Sequence, residues 1–167
     1  LAAAFAPRRG RRAEPGEEVS VIAEPASNSL IVTASDENLA RVKDQFRAAG
    51  FDLLLNEHRK VEQDGGVIEV VGVENWGKPP FPQRGDLEKA MEGTSPGRPT
   101  VLLSHDPSHW DAEVLSHKDI DLTLSGHTHG MQFAINIPGW KWSPVQIKYP
   151  RWSGLYQEGK QALYVNI

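Results

Sequence analysis

The stretch at residues 121–130, DLTLSGHTHG, limits what this chain can be more than any other. An apolar, strand-prone run ends at a glycine. Two histidines follow, one residue apart, and then a second glycine. On extended backbone, residues two apart point to one side. His127 and His129 can therefore present their imidazoles to one ion, or to two ions lying side by side. Neutral imidazole is the commonest side-chain metal ligand. The flanking glycines let the backbone turn and approach a ligand without a Cβ in the way. A related unit lies upstream at 100–107, TVLLSHDP, where another apolar run stops at His105 before a proline. The expectation is a fold that brings these strand ends together.

The rest of the chain gives the frame. Its 167 residues suggest one domain, or one and a fraction, with room for a core. Lys and Arg number 18 against 22 Asp and Glu, a net charge of −4, so no specific nucleic-acid surface is expected. Residues 1–12 hold Arg8, Arg9, Arg11 and Arg12 and no acid, and the rest sets 14 bases against 22 acids, a balance of −8. Cysteine is absent, which excludes disulfides, thiolate zinc sites and cysteine nucleophiles. No run reaches the ~18 apolar residues of a membrane-spanning helix. The apolar start at 1–6 reads as the frayed end of a fragment, with the tail of a signal peptide as the alternative. Residues 1–18 read as a disordered basic tail.

Residues 19–49 read as β-β-α: strands at 19–23 and 29–34, then a helix capped by Ser35 and stopped by Gly50. Beyond it, strands are expected at 51–55, 58–63 and 67–73, the last two joined by a hairpin at Asp64, Gly65 and Gly66. Residues 78–82 are a proline loop. Asp86 caps a short helix through Met91. The His105 strand, a short helix near 109–115 and the His127 strand follow. Residues beyond 130 read as a long aromatic loop, with a strand at 131–135, and 161–166 as a closing strand. Strands alternating with short helices argue an α/β layered domain. His58, His109 and His117 read as ordinary polar residues. Asp106 and Asp111 read as helix-capping or solvated carboxylates, with support of an imidazole N–H as the alternative.

Two resemblances are carried by these residues. The segment SVIAEPASNSLIVTASDENLARV at 20–42 is similar to part of the small ring-forming domains of type II secretion secretins, which sets a domain of 19–43. The segments GVENW at 72–76, LLSHDP at 102–107, DLTLSGHTHGMQ at 121–132 and GLYQEGKQALYVN at 154–166 resemble the C-terminal half of a calcineurin-like metallophosphoesterase. The branch most resembled is small, bacterial and often membrane-associated, and the likeness covers 44–167. It implies an incomplete β-sandwich flanked by helices and two divalent ions, whether manganese, iron or zinc. His105 and His127 would share one ion and His129 would bind the other. It also implies a phosphate-ester substrate, a metal-activated water as nucleophile, and a bacterial membrane or cell-envelope location.

The ligand motifs of that family's N-terminal half are not in this sequence. No Asp-x-His occurs, Gly85-Asp86 follows the proline loop, and Asn56-Glu57-His58 is not Gly-Asn-His. No catalytic residue is identified, because the family's Asn/His pair is missing, and impaired hydrolysis is expected. The alternatives are a non-catalytic interaction module of chimeric origin, self-associating through uncovered sheet edges, and a mononuclear zinc site.

Overall fold

The computed structural model describes residues 20–24, 29–33, 35–77, 83–128, 130, 133–138 and 140–167, with backbone alone for the first two segments and for Asn136. The chain divides into two compact units, Leu1–Leu53 and Leu54–Ile167.

In the first unit, β1 (Ser20–Glu24) pairs antiparallel with β2 (Ser29–Thr33), with Ile22 opposite Ile31. Helix α1 (Asp36–Ala48) follows. The Ser35 hydroxyl accepts from the Asn38 amide at 3.4 Å, and Asp36 and Glu37 complement the positive end of the helix dipole. Gly50 closes the helix with φ 87°. The Gly50 amide donates to the Arg47 carbonyl and the Phe51 amide to the Phe46 carbonyl, each at 3.0 Å. These are the paired bonds of a Schellman cap, and the Phe46 and Phe51 rings supply its hydrophobic contact, 5.4 Å apart. This corrects the strand expected at 51–55. Phe51 belongs to the helix stop, and regular pairing starts only at Glu57.

The second unit is built on one six-stranded mixed sheet, ordered β3-β4-β5-β6-β10-β9. Its strands are β3 (Glu57–Gln63), β4 (Gly66–Gly72), β5 (Thr100–Leu103), β6 (Leu122–Ser125), β9 (Gly154–Glu158) and β10 (Gln161–Val165). β4, β5, β6 and β10 run parallel, and β3 and β9 are antiparallel edges. The β3–β4 hairpin turns at Asp64 and Gly65, φ 50° and 80°, the pair of positive angles a two-residue hairpin turn requires. Helix α2 (Leu87–Met91) is capped by Asp86, whose carboxylate accepts from the Lys89 amide at 3.0 Å. Helix α3 (Ser108–Ala112) and a 3-10 turn, Val114–Ser116, complete the layer.

These helices pack on one sheet face. Val71, Leu102, Leu163 and Val165 from the strands meet Leu87, Ala90, Trp110, Val114 and Ile120, all buried. The α/β layered class expected from the alternation of strands and short helices is the class that forms. Period-two alternation sends the neighbouring strand residues to the other face. There, Leu103, Leu124, Tyr164 and Leu155 form one row across four adjacent strands. They are 42%, 38%, 45% and 68% exposed, although parallel strands are ordinarily covered on both faces.

The aromatic region is more ordered than a loop. β7 (Ile135–Ile137) and β8 (Trp140–Trp142) make a small hairpin, a 3-10 turn spans Pro144–Ile147, and β9 precedes β10. The strand expected at 131–135 begins at its last residue instead, and residues 131 and 132 lie outside the described set. β9 escapes a reading by alternation because it is short and carries only Leu155 and Tyr156 as large apolar residues.

Candidate metal centre

The site lies just past the carboxyl ends of β5, β6 and β10, where open α/β sheets place their ligands. The strand ends stay in register beyond the sheet. The Ser104 amide donates to the Leu124 carbonyl, Gly126 to His105, and Asn166 to Ser125, at 2.9–3.1 Å. His105 and His127 are brought together by this extension. Their rings meet edge to face, with centroids 5.2 Å apart and planes at 85°. His129 lies outside the described residues, so its imidazole is not placed.

His127 does not continue the extended backbone expected of an H-x-H strand end. Its φ is 70°, and the Thr128 amide donates back to the Gly126 carbonyl at 2.8 Å. That bond closes a three-residue γ-turn of the strained, positive-φ form centred on His127. Gly126 does not carry the turn. A Cβ there would meet only ordinary contacts, the nearest being His105 Nδ1 at 3.8 Å. The strain falls on the histidine itself, and strain of this kind clusters at ligand sites.

The aromatic segment holds His127 from the other side. Val145, Tyr149 and Trp152 form a small buried cluster. The Thr128 hydroxyl donates to the Trp152 carbonyl at 2.7 Å, and the Ser143 hydroxyl to the Gly130 carbonyl at 2.8 Å. Tyr149 Oη is hydrogen-bonded with His127 Nε2 at 2.8 Å. Burial, and then the charge on Asp106, push the Tyr149 phenol above its ordinary range, so it stays protonated. A phenol both donates and accepts, so the bond fixes the position of the His127 ring through Nε2.

A second buried chain anchors the His105 strand end. Ser104 Oγ lies 2.8 Å from His109 Nδ1, and His109 Nε2 lies 3.1 Å from Glu113 Oε2. A carboxylate only accepts, so Nε2 carries the proton and the Ser104 hydroxyl donates to Nδ1. Trp76 stacks on the His109 ring at 4.9 Å and donates its indole N–H to Glu113 at 3.0 Å. Burial lowers the His109 pKa below its usual value, against the opposing pull of Glu113, so the ring is neutral. The order serine, imidazole, carboxylate resembles a nucleophile with its base. Ser104 is only 3% exposed, however, and the chain serves to hold the strand end.

His109 is therefore not the ordinary polar residue expected. Its i, i+4 spacing to Glu113 was a signal in the sequence. The contributions of Trp76 to His109, 33 residues away, and of Tyr149 to His127, 22 residues away, left none. Asp106 follows the capping alternative: its Oδ1 accepts from the Ser108 amide and hydroxyl, at 2.8 and 2.5 Å. Asp111 is taken by Arg151. His117 faces Glu88 at 3.4 Å.

The 5.2 Å centroid separation of His105 and His127 is also that of His127 and Tyr149, so it reports an edge-to-face ring cluster around His127. Among the described residues no group of three His, Asp or Glu side chains is gathered for a metal.

Comparison with known proteins bears on this arrangement. No protein-family model matches the chain, and no solved structure matches it significantly. A Danio rerio transmembrane protein with metallophosphoesterase domain is 31% identical over 125 residues, 71% of this chain. The chain is related to metallophosphoesterases. A Bos taurus protein of the same description is 44% identical over 73 residues, 43% of the chain. The Escherichia coli phosphodiesterase YaeI is 28% identical over 128 residues, 74% of the chain. The matched stretches span only 15%, 27% and 42% of the Bos taurus, Danio rerio and Escherichia coli proteins. The metallophosphoesterase relationship implies divalent metal ions in general terms. The secretin-like resemblance at 19–43 gains no support from these relatives. Two of them are named transmembrane proteins, while among the described residues no helix is long and apolar enough to cross a membrane.

Proposed function

We propose that this chain carries the imidazole side of a phosphoesterase metal centre, with His105 and His127 holding one divalent ion and His129 completing the ligand set. The observation that supports this best is the His105–His127 pair, 5.2 Å apart at adjacent strand ends, with the backbone strained at His127. The bound ion would supply Lewis-acid activation of water and of the phosphoryl oxygen. The protein's own contribution is positional. Tyr149 fixes the His127 ring, and Ser104, His109 and Glu113 fix the strand end that carries His105. The sequence lacks the carboxylate motifs that would bridge a second ion, so hydrolysis of phosphate esters by this chain alone is impaired.

The test is metal content and turnover on one sample. Native mass spectrometry should find one manganese or zinc per chain, with hydrolysis of an aryl phosphate slow or absent. Two ions with turnover would show a complete catalytic centre. A folded chain that takes no metal would remove the proposal.

The exposed row Leu103, Leu124, Tyr164 and Leu155 supports the expectation of self-association, and membrane-surface or cell-envelope placement belongs with the same reading. Leu155→Lys should reduce concentration-dependent association in sedimentation velocity. Because Leu155 is 68% exposed on an edge strand, stability should stay within about 0.5 kcal/mol of the parent. Unchanged association would remove that row from consideration.

A further inference from the structure

Beside the two-histidine site, a cleft of about 330 Å³ opens between the start of α3 and residues 148–151. Pro107, Ala112 and Pro150 form its apolar walls, and the prolines offer no backbone N–H. Two cations line it, and they differ. Arg151 Nε donates to both Asp111 carboxylate oxygens at 3.0 Å, and its Nη2 donates to Glu158 at 3.0 Å. Its guanidinium also stacks over Trp110 at 4.5 Å. Arg151 is thus a neutralised, fixed wall. Lys148 is exposed and makes no ion pair among the described residues. Its ammonium lies 5.4 Å from the Tyr149 ring centroid, and the Tyr149 hydroxyl is bonded with His127. One uncompensated cation therefore stands about a tyrosine's length from the imidazole pair, at the rim of an apolar cleft.

We propose that this cleft receives the alcohol portion of the phosphate ester, and that Lys148 selects esters whose alcohol portion carries a second anionic group. The proposal rests on the reading of His105 and His127 as the place where the phosphoryl group binds. A ring-sized apolar moiety fits between the proline walls, and an anion on its far end meets Lys148. Arg151 cannot make this selection, because its charge is already matched by two carboxylates.

The experiment uses two non-hydrolysable probes, phenylphosphonate and 4-carboxyphenylphosphonate, titrated into the full chain by NMR with zinc present and absent. The parent chain should prefer the carboxylated probe about threefold to fivefold, the range of a partly exposed ion pair. Lys148→Met should remove that preference and leave phenylphosphonate affinity unchanged. Ala112→Phe, which fills the cleft from an exposed helix position, should weaken both probes and leave zinc affinity unchanged. No preference in the parent, a preference that survives Lys148→Met, or full binding by Ala112→Phe would overturn the proposal. A chain that takes no zinc yet shows the Lys148-dependent preference supports the cleft and defeats the metal centre instead.

Discussion

His127→Gly should abolish tight binding of divalent metal and leave the thermal midpoint close to that of the parent. The two effects separate because His127 is a poor structural choice at its own position. A non-glycine residue held at positive φ in a strained turn costs about 1–3 kcal/mol, and glycine removes that penalty. Against this stands the loss of the bond with Tyr149, worth about 0.5–1.5 kcal/mol net. The balance is near zero. Metal affinity has no such compensation. Loss even of a group supporting a ligand costs about 10–100-fold in affinity, so loss of the ligand should cost at least about 100-fold. Isothermal titration with zinc and a calorimetric melt of the same preparation measure both. A midpoint lowered by more than roughly 8 °C, near 2 kcal/mol for a unit of this size, would mean His127 is there for packing. Retained zinc affinity would exclude it from the ligand set.

The same residue shows how far the sequence could be read. The apolar runs before His105 and His127, and the Asp64–Gly65 turn, were legible because period-two alternation and turn chemistry are local signals. So were the Ser35 and Asp86 caps. The parallel pairing of β5 with β6 and of β6 with β10 was not. It joins segments 21 to 40 residues apart, and no local pattern specifies it. The γ-turn was missed for a related reason. Glycines on both sides made Gly126 the natural place for unusual backbone, yet the positive φ sits on His127. A resemblance could nominate His105 and His127 as partners. Only the register of the strand ends says that their rings meet. The secretin-like segment marks the opposite limit. Its hairpin and helix form, but a β-β-α pattern is too common to carry a family by itself.

His109→Phe should lower stability at neutral pH, and the deficit should shrink on acidification. Phenylalanine keeps much of the ring's volume and its stacking with Trp76, so the change is confined to hydrogen bonding. The Ser104 hydroxyl, buried, loses its acceptor, and a buried polar group left unsatisfied costs about 1–3 kcal/mol. The pH dependence follows from linkage. Burial depresses the His109 pKa in the folded state below the ordinary 6.5. The unfolded chain therefore takes up the proton first as pH falls. Stability contributed by neutral His109 is fully present above pH 6.5 and is lost as pH falls toward the folded value. The variant has no such group, so the gap between parent and variant melting curves should be widest near pH 7.5 and narrower at pH 5. Taking the difference between the two proteins removes every contribution they share. A gap that widens on acidification would show that His109 is charged in the folded state and paired with Glu113. The anchoring of the His105 strand end would then rest on an ion pair, and the Ser104 hydroxyl could not donate to a protonated Nδ1.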